Sequence, residues 1–211
     1  MHFLIGVAVA VGCGLAPWAT AKLRTRWIAI AAGPFLIVVV AGAVFGLPLY
    51  PFSDAFVAAF SLLAGVALGR VMPPRFRPFV ILLLILSALD VAQNFAFAGP
   101  APPPGSAPDP HFVWFNVRFP LPNGHFNIGF ADLVLIAAAA ENLRRRKATL
   151  ALSLLPGVIG ISLGEALLSA LAGNPPLFVD AIAASLVLFL TAGYALTELA
   201  VGQTASRAQS G

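Results

Sequence analysis

Seven apolar stretches, each about as long as a membrane-spanning helix, dominate this sequence. About 20 apolar residues are needed to cross roughly 30 Å of hydrocarbon. The stretches are about 3–20, 27–49, 55–72, 78–98, 126–143, 148–172 and 177–200. Only 9% of the 211 residues are charged, against about 25% in a soluble domain. We therefore predict an all-α membrane protein, a seven-transmembrane helix bundle that forms one polytopic domain over residues 1–200.

The basic residues predict the orientation of these spans. Eleven of the twelve Lys and Arg residues fall on one side of a strictly alternating seven-span arrangement, and only Arg118 falls on the other. The eleven are Lys22, Arg24, Arg26, Arg70, Arg75, Arg77, Arg144, Arg145, Arg146, Lys147 and Arg207. An excess of Lys and Arg marks the cytoplasmic side. We predict a prokaryotic plasma membrane protein with its N-terminus outside and its C-terminus in the cytoplasm. The net charge of +4 then needs no nucleic-acid partner.

The longest connection, residues 99–125, is expected outside the membrane. Its first half is rich in Pro and Gly and is not predicted to form regular helix. Its second half, His111 to Phe119, alternates and is rich in aromatic and β-branched residues, which predicts a short strand. The strand needs a partner, either within the loop as a hairpin or from outside. An aromatic loop on the bilayer surface is the alternative. The tail, 201–211, is predicted to be disordered and cytoplasmic.

Two aspartates inside the predicted spans are the candidate catalytic residues. A carboxylate at the centre of a membrane helix costs about 3 kcal/mol on insertion scales, so the presence of Asp90 and Asp132 within spans calls for a functional or structural explanation. With a rise of 1.5 Å per residue, Asp90 lies about 13 Å and Asp132 about 9 Å below the outer membrane surface. The two spans that carry them are adjacent in the chain. Two close carboxyl groups cannot both ionise. They share one proton and together activate a water molecule. This pattern predicts aspartic proteolysis.

Other acids leave alternatives open. Glu165 and Asp180 also fall in the outer halves of their spans, so the intramembrane acids together are able to form a cation or proton path. Each is equally able to hydrogen-bond a neighbouring helix. The inner halves of the spans are almost wholly apolar, which favours a carboxyl pair over a continuous path. Asp54, Glu141 and Glu198 lie at span ends and are predicted to be solvated or to cap helices.

Small residues and prolines surround the candidate pair. Gly129 and Ala131 precede the second aspartate and allow another backbone to approach closely. Pro175, Pro176 and Leu177 open the last span. Consecutive prolines fix an extended entry that is suited to holding a peptide near the acids. The alternative is an ordinary helix start with Pro in its first turn. The sequence implies no metal and no organic cofactor.

In order along the chain, three motifs resemble those of the presenilin and signal peptide peptidase family of intramembrane aspartyl proteases. Leu89-Asp90 corresponds to its Tyr-Asp motif, Gly129-Phe130-Ala131-Asp132 to G-x-G-D, and Pro175-Pro176-Leu177 to Pro-Ala-Leu. Each departs by one residue, and the resemblance covers roughly 78–200. Phe126-Asn127-Ile128 ahead of Ala131-Asp132 also resembles, locally, the lipoprotein signal peptidases.

The resemblance implies a function and a set of site residues. Asp90 and Asp132 would be the catalytic pair, acting on transmembrane or signal-peptide segments whose N-terminus is cytoplasmic. The substrate-binding residues would be Gly129, Ala131, Phe112, Val113, Phe115, Val117, Pro175, Pro176 and Leu177. The strand would pair with the unwound substrate. A family member that is inactive and only binds membrane segments is the further alternative. The expected partners are a transmembrane peptide and the lipid bilayer.

Overall fold

The computed structural model of the protein describes residues 2–96, 112–121, 124–170 and 185–210. Seven α-helices and one two-stranded sheet lie in these ranges, so the prediction of a mostly helical protein is confirmed. The helices are α1 (His2–Ala19), α2 (Thr25–Phe45), α3 (Phe52–Val71), α4 (Phe76–Ala96), α5 (Phe130–Arg145), α6 (Leu150–Ala170) and α7 (Leu186–Ser210). The strands are β1 (Asn116–Leu121) and β2 (Gly124–Gly129), and a 3-10 turn (Phe112–Phe115) precedes β1.

Helix α5 lies at the centre of the bundle. It packs against α1, α3 and α6, and its residues Leu133 and 135–143 are buried. A run of four alanines, 137–140, keeps the helix thin enough for neighbours to approach on every side. Helix α7 packs on α6, and α4 packs mainly on α7. The fold therefore surrounds one buried helix, α5, with helices whose outer surfaces are apolar.

The contact between α3 and α5 depends on small residues. A Cβ added at Gly65 would lie 2.4 Å from the carbonyl oxygen of Val134, and one added at Gly69 would lie 2.7 Å from that of Ala138. Both distances are shorter than van der Waals contact, so neither position accepts a side chain without a shift. Backbone-to-backbone packing of this kind is typical of helices that associate in membranes.

The segment that was predicted as a strand pairs within its own loop. β1 and β2 form an antiparallel hairpin in which Val117 lies opposite Ile128. The sequence predicted a strand from His111. The strand begins at Asn116 instead, because a 3-10 turn occupies 112–115. β2 also takes residues 126–129 from the predicted fifth span, which begins at Phe130 instead of 126. The sequence of a short apolar run fits either a helix or a strand, and here pairing with β1 makes 126–129 a strand.

Trp114 anchors the hairpin to the helices. Its side chain is fully buried, and its Nε1–H donates to the carbonyl of Leu47 at 3.1 Å. The indole lies directly against Gly42 of α2, where a Cβ would come within 2.0 Å of the ring. The backbone N–H of Arg118 in β1 donates to Asp54 Oδ2 in the first turn of α3, at 3.3 Å. These contacts fix the hairpin over one end of α2 and α3, which we call the hairpin end.

By length and composition, α2 and α3 are candidate membrane-spanning helices. α1, α6 and α7 contain shorter apolar stretches, at 4–19, 150–164 and 186–199. α5 has 16 residues, so it is about 24 Å long at 1.5 Å per residue and is shorter than the hydrocarbon layer. α7 continues through Ser210, where the sequence predicted a disordered tail from 201. Extending an existing helix costs far less than nucleating one, which accounts for the difference.

Candidate active site

Asp90 joins α4 to the start of α7. Its side chain is half-buried, and the hydroxyl of Ser185 donates to Asp90 Oδ2 at 2.7 Å. Ser185 Oγ in turn accepts from the N–H of Leu188 at 3.4 Å, as an N-cap residue does. Asp90 therefore sits at a helix N-terminus, where a negative charge is favourable.

Asp132 is the third residue of α5 and lies beside the end of the hairpin. Its Oδ2 accepts the backbone N–H of Gly129 at 3.2 Å, so the carboxyl group reaches back to the residue before the helix. A Cβ at Gly129 would lie 2.9 Å from that oxygen, so the glycine lets the carboxylate approach the backbone. The shorter helix moves Asp132 from the predicted sixth position of its span to the first turn.

The two aspartates come from different helices, α4 and α5, and residues of both helices line the same cavity. Beside them is a cavity of about 360 Å³ between α3, α4, α5 and α7. Among its described lining residues Asp90 alone is charged. The apolar lining residues are Leu68, Leu86, Leu89, Phe130, Ala131, Val134, Leu135 and Val187. An acid pair at the edge of an apolar cavity is suited to chemistry on a hydrophobic ligand from which bulk water is excluded.

The hairpin and its preceding turn reach this site. Phe115 in the 3-10 turn is exposed, and its ring centroid lies 6.2 Å from that of Phe130, a cavity-lining residue. Val117 is buried in β1 and packs in the core together with Ile128. The structure therefore brings together the predicted residues Gly129, Ala131 and Phe115 near the aspartates, whereas the Val117 side chain faces the protein interior.

Several predicted site residues lie outside the described part of the chain. Pro175, Pro176, Leu177 and Asp180 belong to 171–184, and the side chains of Phe112, Val113 and Glu165 are likewise outside it. Their predicted roles stay predictions.

The prediction that Glu141 is solvated or caps a helix is wrong. Its side chain is fully buried and forms ion pairs with Arg70 Nε at 3.0 Å and Arg144 Nε at 2.7 Å. Glu198 pairs with Arg146, and these hydrogen bonds raise the pKa of the Arg146 guanidinium above its ordinary value. These contacts lie at the opposite end of the bundle from the hairpin.

Ser185 is the site residue that the sequence reading missed. A serine directly before an apolar helical run is a recognised N-cap signal, and Ser185 directly precedes the apolar run that begins at Leu186. What the sequence does not show is that this cap meets Asp90, because the two residues are 95 positions apart. Within the described residues, no group of three or more His, Cys, Asp or Glu side chains is placed to hold a metal ion.

Comparisons with known proteins complete this description. No protein-family model matches the chain, and neither a curated protein nor a solved structure is found to be similar to it.

Proposed function

We propose that the protein is an intramembrane aspartyl protease in which Asp90 and Asp132 form the catalytic pair. One observation carries the proposal: Asp90 lines an apolar cavity to which Phe130 and Ala131, the two residues before Asp132, also contribute. An acid that served only to cap its own helix would need neither a second acid nor a cavity. The seven-span topology, with the hairpin end outside the membrane, is part of this proposal.

In this mechanism the pair shares one proton. The ionised carboxylate takes a proton from a water molecule, whose oxygen attacks the peptide carbonyl. The protonated carboxyl group donates its proton to the carbonyl oxygen, which gives a tetrahedral diol. The other carboxyl group, which holds the proton taken from water, then protonates the leaving amine as the C–N bond breaks, and a diol hydroxyl returns a proton to the pair. The Ser185 hydroxyl and the Gly129 amide hold the two side chains in place by the hydrogen bonds described above.

The substrate in this proposal is an apolar membrane segment with a cytoplasmic N-terminus, as the resemblance to signal peptide peptidase implies. The cavity accepts apolar side chains, since its described lining is apolar except for Asp90. Phe115 lies beside the cavity-lining Phe130, so a segment bound in the cavity would lie close to the turn that precedes the hairpin. In this proposal a strand of the hairpin pairs with the substrate backbone, which would unwind the segment and expose its scissile bond.

The test is cleavage of transmembrane peptides by the purified protein in detergent or liposomes. We expect Asp90→Asn and Asp132→Asn each to lower the rate by about 10²- to 10⁴-fold, the contribution typical of general acid–base groups. Glu198→Gln is the matched control, because it neutralises one acid at the other end of the bundle. Its cleavage rate should stay close to that of the wild type.

Equal cleavage by the wild type and both asparagine variants would reject the catalytic pair. A wild type that binds the peptides but cleaves none across a varied panel would identify an inactive binder instead. A cation or proton path requires Glu165 or Asp180 in addition to the pair. Ion flux in liposomes that depends on those two residues, without peptide cleavage, would favour transport.

A further inference from the structure

The end of the bundle opposite the hairpin, which we call the basic end, carries ten of the twelve Lys and Arg residues but only two acids. The ten belong to the α1–α2, α3–α4 and α5–α6 connections and the adjoining helix ends. The two acids, Glu141 and Glu198, are both occupied by arginines. The basic residues divide into two sets according to what they contact.

The inner set bonds the helix ends to one another. Arg70 pairs with Glu141 and donates to the carbonyls of Thr20 and Leu23, which ties the end of α3 to the α1–α2 connection. Arg145 Nη1 donates to three carbonyls at the end of α3 and just after it, between 2.7 and 3.0 Å. Arg144 and Arg146 complete this set. Arg144 and Arg146 bond Glu141 and Glu198, whereas the Arg70 and Arg145 guanidinium groups satisfy carbonyls that the helix ends leave unpaired.

In the residues that the structure describes, the outer set makes no comparable bonds to helix ends. It consists of the exposed residues Lys22, Arg24, Arg26, Arg75, Arg77 and Lys147. In the described part of the chain none of the six pairs with a carboxylate, and the connections that carry them contain no Asp or Glu. Because Arg70 joins the α1–α2 connection to the end of α3, the cations of the α1–α2 and α3–α4 connections lie at the same end of the bundle.

The position of four outer cations is unfavourable for the helices themselves. Arg24 and Arg26 lie at the start of α2, and Arg75 and Arg77 lie at the start of α4. A helix N-terminus carries partial positive charge, so arginines there are repelled by the helix dipole. Trp27, which is 54% exposed and lies under the Arg26 guanidinium at 5.3 Å, provides an amphipathic ring at the same level. Tryptophan is enriched where a membrane meets water.

We propose that this outer set binds the headgroups of anionic lipids in the adjacent membrane leaflet. Within the described residues the arginines pair with no carboxylate, they lie at the ends of apolar helices, and an exposed tryptophan accompanies them, a combination that fits a phosphate-bearing membrane surface. The inference depends on membrane insertion and is independent of the two aspartates.

The test uses purified protein in mixed micelles that contain equal amounts of phosphatidylglycerol and phosphatidylcholine. Native mass spectrometry counts the lipids that stay bound. The test variant replaces Arg24, Arg26, Arg75 and Arg77 together by Gln, and one matched variant replaces the same four by Lys. Arg118→Gln removes one charge at the hairpin end as a second control. The wild type should retain phosphatidylglycerol preferentially, and the Lys variant and Arg118→Gln should do the same.

The fourfold Gln variant should lose the preference, with each neutralised arginine lowering it about fivefold. If that variant does not fold, Arg75→Gln alone should show the fivefold loss. Equal retention of the two lipids by the wild type, or an unchanged preference in the Gln variants, would overturn the proposal. So would displacement of phosphatidylglycerol by an equal concentration of inorganic phosphate, because the site would then bind free phosphate.

Discussion

Replacing Glu141 by Gln should destabilise the protein more than any other single charge neutralisation at the basic end. The Glu141 side chain is 0% exposed, and its partners Arg70 and Arg144 are 9% and 22% exposed. Three hydrogen bonds of 2.7 to 3.0 Å reach its two oxygens. Gln keeps the shape but leaves two guanidinium groups without an anion in a desolvated site.

The expected loss is about 3 kcal/mol of unfolding free energy, the lower part of the range of about 3–5 for breaking a buried ion pair. The lower part applies because Arg144 can turn toward solvent, whereas Arg70 keeps its carbonyl partners Thr20 and Leu23. Glu198→Gln is the control. Its pair with Arg146 is 18% and 20% exposed, so its loss should be about 1 kcal/mol or less.

The measurement is unfolding by increasing mole fraction of sodium dodecyl sulfate in mixed micelles, followed by circular dichroism. The two variants are compared with the wild type at the same protein concentration. A Glu141→Gln loss no larger than that of Glu198→Gln would show that the buried cluster does not hold α3 and α5 together. The reasoning from burial would then be wrong.

Three further outcomes are expected. Gly42→Ala forces a Cβ to within 2.0 Å of the Trp114 ring and should lower the unfolding free energy by about 1–3 kcal/mol, measured by thermal melting. Gly33→Ala, in the same helix, has open space around its Cβ and should leave the stability unchanged or raise it. Tyr194→Phe removes a buried hydrogen bond of 2.7 Å to an asparagine of α5 and should cost about 1–3 kcal/mol in the same melts, since the amide oxygen loses its partner. Ala131→Gly reproduces the G-x-G-D pattern that Gly129–Asp132 resembles. If the proposed protease function holds, it should raise the peptide cleavage rate at a stability cost of up to about 1 kcal/mol, and an unchanged or lower rate would argue against a role for that pattern.

The sequence by itself determined the mostly helical class, the position of each helix to within a few residues for most of the chain, and the choice of Asp90 and Asp132 as candidates. Apolar runs of this length and the gathering of Lys and Arg between alternate runs are local patterns, so they can be read without a structure. The sequence alone likewise shows that acids lie within apolar runs, and such acids are candidates for function wherever they occur.

Tertiary structure alone decided which groups meet. The hairpin partner fixed 126–129 as strand, and it thereby placed Asp132 in the first turn of α5. Glu141 has the same local context as a solvated helix end, and only the packing of α3 against α5 buries it beside Arg70. The meeting of Ser185 with Asp90 likewise joins positions far apart in the chain. Such contacts depend on the packing of distant segments, which hydrophobic periodicity does not encode.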